Sequence, residues 1–146
     1  MRAKLTEWLK RYLALEVVAT VCSLTGGLGA ASLTASGGVI AYAAAWAENA
    51  GFYGYALLRE VRSKSGDTPL SFGAVTSVLL PSVRALIVEF GPAEVLDSFV
   101  LRPVCMYLLP QLTGHLVVGL VLGKVLADVA FFGLVVIAYE WSKSRT

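Results

Sequence analysis

The sequence predicts an all-α integral membrane protein: four transmembrane helices built as two repeated helical hairpins, with an interfacial helix before the third span. Three observations predict it. Of 146 residues, 57% are hydrophobic and 15% charged, and mean hydropathy is +0.72, whereas a soluble domain is about 45–50% apolar and about 25% charged. The apolar residues fall in runs of about 20, the length that crosses a hydrocarbon core as helix. Most charged residues gather between those runs, and the exceptions are few enough to name.

The first span runs from about Leu13 to Ala35 and ends at Ser36-Gly37-Gly38. Basic residues precede it as in a signal peptide, but Glu16 interrupts the run and Ala19-Thr20-Val21 before Cys22 makes no lipoprotein cleavage box. An uncleaved span is expected. The second span, Val39 to Leu58, stops at Arg59-Glu60-Val61-Arg62-Ser63-Lys64. Residues 71–88 are apolar, but Pro81, Arg84 and the break at Gly91-Pro92 favour an interfacial or re-entrant helix over a fifth span. The third span starts between Ser82 and Ala93 and ends at Leu109-Pro110; the fourth extends from about His115 to Tyr139, closed by Glu140-Trp141. The chain thus reads as one membrane domain, 1–146. Repeat one covers about 11–60, a linker with the interfacial segment about 61–88, and repeat two about 89–140.

Charge placement orients the spans. Arg2, Lys4, Lys10 and Arg11 precede the first, Arg59, Arg62 and Lys64 follow the second, and Lys143 and Arg145 lie in the tail. The loops Ser36–Gly38 and Pro110–Gly114 carry no charge. Under the positive-inside rule the protein is a multi-pass component of the cell inner (plasma) membrane with both termini cytoplasmic. Trp8, Tyr12, Tyr53, Tyr55, Tyr139 and Trp141 are then expected at the cytoplasmic interface.

An internal repeat links the hairpins at a nearly constant offset. Glu16-Val17 matches Glu94-Val95, Thr20 matches Ser98, and Gly51-Phe52-Tyr53-Gly54 matches Ala130-Phe131-Phe132-Gly133, with Asn49 opposite Asp128. Small residues recur every fourth position at Gly119, Gly123 and Ala127, and at Ala43, Ala47 and Gly51. Such faces let helix backbones approach closely, within a bundle or in a homodimer.

Ionisable residues stranded inside the spans carry the functional signal. A charge at the centre of a bilayer helix costs roughly 2.5–3.5 kcal/mol, so such residues face each other, water or a substrate. Residue depth sorts them into a midplane layer, Glu48, Arg102, Lys124 and Asp128 with Asn49 beside them, and a cytoplasmic acidic vestibule, Glu16, Glu94 and Asp97. Lys124 and Asp128 are four apart and can pair on one helix; Glu48 can pair with Arg102 across helices. Thr20 and Ser98 add hydroxyls, and Pro103 frees a carbonyl within the third span. Two readings stay open: ion pairs that fix bundle register, or a path that replaces the hydration shell of a polar substrate. The vestibule likewise either attracts a cation or pairs with Arg11 and Arg84.

Other classes find little support. A net charge of +2 with no basic run interleaved with aromatics excludes a nucleic-acid partner. Cys22 and Cys105 form no metal-ligand spacing and read as buried apolar thiols. His115 is the one histidine, no HExxH-like spacing or nucleophile elbow occurs, and Gly26-Gly27-Leu28-Gly29 lies within a span as packing. No catalytic residue, metal or cofactor is expected. The partners expected are the lipid bilayer and either a second copy or a partner membrane protein.

Two hairpins, with Lys10-Arg11-Tyr12 opening the first span and an aromatic-basic exit, Gly51-Phe52-Tyr53-Gly54-Tyr55-Ala56-Leu57-Leu58-Arg59, from the second, resemble the GtrA-like family. That family is small and four-spanning, and the resemblance implies a part in moving polyprenyl-phosphate-linked sugars across membranes. Its second span usually ends in Asn-Arg followed by aromatics; here Asn49 stands ten residues before Arg59, and Glu48 and Asp128 lie outside its pattern. The chain is also similar to the small multidrug-resistance carriers, whose membrane-embedded glutamate sits in the first span as Glu16 does. Those carriers lack the segment from Arg59 to Val88. The function expected is translocation, or assistance in translocation, of a polar or lipid-linked substrate through the charged midplane. The alternative is a non-catalytic membrane subunit that anchors or organises a partner enzyme.

Overall fold

Two tight turns organise the chain into antiparallel helix pairs. After the first helix, Thr34-Ala35-Ser36 reverses direction: the Ser36 N–H donates to the Thr34 hydroxyl at 3.1 Å, and the Ser36 carbonyl accepts the Ile40 N–H at 3.1 Å to start the next helix. The second turn rests on Gly114, whose φ of 68° places it in the left-handed region that favours glycine. Its N–H returns to the Pro110 carbonyl at 3.0 Å.

A computed structural model of the chain describes residues 2–65, 72–73, 75–77, 80–81, 84 and 93–143. Four long helices emerge: α1 (Arg2–Leu33), α2 (Gly37–Ser65), α3 (Ala93–Thr113) and α4 (Leu116–Lys143). No strand occurs among the described residues. Three stretches, Tyr12–Leu33, Ala93–Thr113 and Leu116–Leu134, are long and apolar enough to cross a membrane. The helix α2 has the length, 29 residues or about 43 Å at 1.5 Å per residue, but not the apolarity, because Glu48-Asn49 sits mid-helix among tyrosines and glycines. Helices α1 and α2 also continue past the apolar runs, to Arg2 and to Ser65, since charged helix ends need no membrane to hold them. The interfacial or re-entrant reading of residues 71–88 falls largely outside the described residues; those described within it are helical.

Helix α1 packs along α2 and α3 along α4, and the pairs meet mainly through α2 and α3. The apolar core is small: Ala41, Ala44, Ala45, Met106 and Leu120, with Leu24 and Leu116 against it. It lies between the two turns and the buried charges. Large apolar side chains such as Leu13, Val17, Val21, Val125 and Phe132 point outward instead, as surfaces facing lipid do.

The small-residue faces are spent within the hairpins. Gly26 leaves room for Ala43 and Ala47, and Gly51 sits on Cys22. Gly119 rests against Pro110. A Cβ on Gly123 would fall 2.8 Å from the Cys105 carbonyl oxygen and 2.9 Å from the Met106 Cα, both backbone atoms that move only with α3. Gly123→Ala is therefore expected to cost about 1–3 kcal/mol by overpacking and to lower the melting temperature in detergent. Gly133→Ala, with nothing within 4 Å of the added Cβ, is the control and should stabilise slightly through helix propensity.

The third helix departs from regular geometry where the sequence places a proline. Residues Asp97–Leu101 form a π turn, in which the Arg102 N–H donates to the Asp97 carbonyl five residues back. Pro103 follows and has no N–H for the Phe99 carbonyl. The Tyr42 hydroxyl of α2 donates to that carbonyl at 2.7 Å. Single π turns of this kind recur at functional sites.

Candidate functional site

The stranded charges form one connected network. Arg102 of α3 donates from Nε and Nη2 to Oδ2 of Asp97 at 2.9 and 2.7 Å, and Nη2 lies 3.1 Å from Oδ1 of Asp128 on α4. Its Nη1 bonds to Oε1 of Glu48 on α2. Lys124 of α4 reaches Oε2 of Glu16 on α1 at 2.6 Å, Oδ2 of Asp128 at 2.8 Å and Oε1 of Glu48 at 3.3 Å. Every long helix contributes a carboxylate, and Glu48 and Asp128 each touch both bases.

Burial is deep at the centre. Asp97 is 1% exposed, Glu48 3% and Lys124 5%. The rim is open: the Glu16 side chain is 47% exposed and that of Asp128 27%. One oxygen on each of the two most enclosed acids, Glu48 Oε2 and Asp97 Oδ1, is buried without a hydrogen-bond partner among the described residues. A carboxylate oxygen shut from both water and donors is costly, so each such atom needs an explanation.

The pairs Glu48–Arg102 and Lys124–Asp128 are both present, but they are not separate. Two of the three vestibule acids do not stand apart either, since Glu16 is held by Lys124 and Asp97 by Arg102. Residue counts explain why. Counted from the turn ends at 1.5 Å per residue, Lys124 lies about 12 Å deep and Glu16 about 25 Å. Their contact requires inclined helices or helix ends at different heights, so depth read along one helix does not carry to its neighbour.

Glu94 is joined less directly. Ser98 donates to its Oε1 at 3.4 Å, and Asn49 Nδ2 donates to Ser98 Oγ at 2.8 Å. Thr20 instead donates to its own helix's Glu16 carbonyl at 2.7 Å. His115 stays exposed at the α3–α4 turn, and Arg84 is exposed as well. The side chains of Trp8, Arg11 and Tyr139 lie outside those described.

Sequence reading singles out Asn49 but misses Tyr42 and Trp46 on the same face of α2, which meets α3. Tyr42, Trp46, Asn49 and Tyr53 follow helical spacing, and the first three contact, in turn, the Phe99 carbonyl, the Phe99 ring with centroids 5.3 Å apart, and Ser98. The signal was available as polar and aromatic residues at i, i+4, i+7 and i+11; an interfacial role had been expected for Tyr53. Tyr42→Phe keeps the ring and removes the donor from the π turn's free carbonyl. It is expected to cost about 0.5–1.5 kcal/mol, read as a lower melting temperature, and to speed amide exchange at α3.

Comparison with protein families, with curated proteins and with solved structures gives no match. The chemistry must therefore be read from the network itself. It can hold positive charge, and it can exchange partners, because Glu48 and Asp128 each contact both bases.

Proposed function

We propose that this chain is a small multi-pass membrane protein that translocates, or assists in translocating, a polar or lipid-linked substrate along the network between its hairpins. In this reading α2 is the fourth span, its Glu48 and Asn49 covered by α3 and α4 rather than by lipid. Both termini lie in the cytoplasm of a cell whose inner membrane holds the protein, and the hairpins are repeats with the path between them.

One observation carries the proposal: two acids that are almost fully buried each keep an oxygen without a partner among the described residues. A network that existed only to staple helices together would satisfy its buried groups, since half-satisfied networks are worse than apolar packing. A second reading rests on a different observation, that both bases are bound by several acids at once. It makes the network purely structural and the protein an anchoring subunit for a partner enzyme.

Ligand-dependent melting of the detergent-purified protein separates the two. The panel comprises organic cations and polyprenyl phosphates, with wild type compared with Glu48→Gln and Asp128→Asn. A shift in wild type that either variant abolishes supports translocation. No shift with any ligand, together with variants that only melt earlier, favours the anchoring subunit.

A further inference from the structure

Among the described residues the charges of the network do not balance: four carboxylates, Glu16, Glu48, Asp97 and Asp128, meet two bases, Arg102 and Lys124. Glu94 stands one hydroxyl away through Ser98. Even with half-exposed Glu16 left to solvent, three carboxylates face two bases. A net negative charge held among membrane helices is unfavourable without a counter-charge.

Two acceptor atoms of the network, Glu48 Oε2 and Asp97 Oδ1, have no hydrogen-bond partner among the described residues. Oε1 of Glu48 is bonded to Arg102 and lies 3.3 Å from Lys124, while Oε2 of the same carboxylate is buried with no partner among the described residues. Oδ2 of Asp97 is held by Arg102 in the same way, leaving Oδ1 beside it. These are acceptors on side chains more than nine-tenths buried, within one connected cluster. Among the described residues, no three histidine, cysteine, aspartate or glutamate groups gather as metal ligands.

Resting on the translocation reading, we propose that the network's ligand is a monovalent cation, whether a proton, an alkali ion or an organic ammonium, held against the free oxygens of Glu48 and Asp97. The substrate class is then cationic, and a phosphate headgroup is not what this site takes. A phosphate would have to displace carboxylates from both bases and would add to the existing excess of negative charge.

Full-length protein in lipid nanodiscs tests this through two readouts, melting temperature and the infrared carbonyl stretch that only a protonated carboxyl gives. The probes are sodium chloride, tetraphenylphosphonium and a polyprenyl phosphate. Wild type is compared with Glu48→Gln and Asp97→Asn, each close to isosteric, so that one folded variant suffices. The expected result is a protonated-carboxyl band at neutral pH that each variant diminishes. Loss of that band on adding tetraphenylphosphonium or sodium would identify the ion that exchanges with the proton, and an unresponsive band would identify the proton itself as the ligand. With no band, a sodium- or tetraphenylphosphonium-induced rise in melting temperature that the variants abolish would also sustain the proposal. The absence of both a band and any cation-dependent shift would overturn it. In that event, a shift with polyprenyl phosphate that the variants abolish would keep translocation while removing the cation, whereas silence in every arm would remove both.

Discussion

Arg102→Gln is expected to lower stability by about 3–5 kcal/mol, the usual cost of removing one partner from a buried charge network. Three carboxylates converge on this guanidinium, and two of them, Glu48 and Asp97, are almost wholly enclosed. Glutamine donates from one end only and leaves their charges facing one another. The check is the melting temperature and folded yield in mild detergent, with compensating variants beside it. Adding Glu48→Gln to Arg102→Gln removes one stranded charge and should recover part of the loss, whereas Glu48→Gln alone should cost far less. Arg102→Lys should fall between, because an ammonium cannot reproduce the forked contact with Asp97. An Arg102→Gln protein that melts like wild type would mean that the network does not hold the bundle.

Exchanging Lys124 and Asp128 is expected to be equally damaging. As an isolated pair four residues apart, they would contribute only about 0.3–0.5 kcal/mol, and a swap would preserve most of it. Their surroundings make the swap asymmetric. An aspartate at 124 would face Glu16 and Glu48, which now lie 2.6 and 3.3 Å from the lysine nitrogen. A lysine at 128 would face Arg102, now 3.1 Å from the aspartate. Both positions gain like-charge contacts, so a loss of at least about 3 kcal/mol is expected. Asp128→Asn alone relieves the excess of acid and should be nearly neutral for folding. Comparable melting of the exchanged and wild-type proteins would count against the network as described.

The sequence made the helices legible through the runs of apolar residues and through the turns at Ser36–Gly38 and Gly114. It made Glu48–Arg102 and Lys124–Asp128 legible through depth and spacing. It did not reveal Asp97–Arg102, for a geometric reason: residues five apart lie well round a regular α-helix from each other, and only the π turn brings them together. Pro103 marked the irregularity without giving its form. Glu16–Lys124 was hidden because depth counted along one helix does not transfer to another. The contacts of Tyr42 and Trp46 with Phe99 are not legible in the sequence, because they depend on which face of α2 meets the π turn of α3. Residue spacing therefore served within a helix and failed between helices.

The separation of partners along the chain has a consequence for biogenesis. Arg102 follows Glu48 by 54 residues, and Lys124 follows Glu16 by 108. While the chain is being made, each acid leaves the ribosome long before the base that will neutralise it. With α2 as a span, the translocon meets a segment too polar to partition by itself. Helix α1 is apolar enough to enter the bilayer by itself, whereas α2 must wait, sheltered at the insertion machinery or held at the bilayer surface, until the second hairpin brings Arg102 and Lys124. A nascent chain stopped before Arg102 would then be presented to membrane quality control with α2 as an orphan.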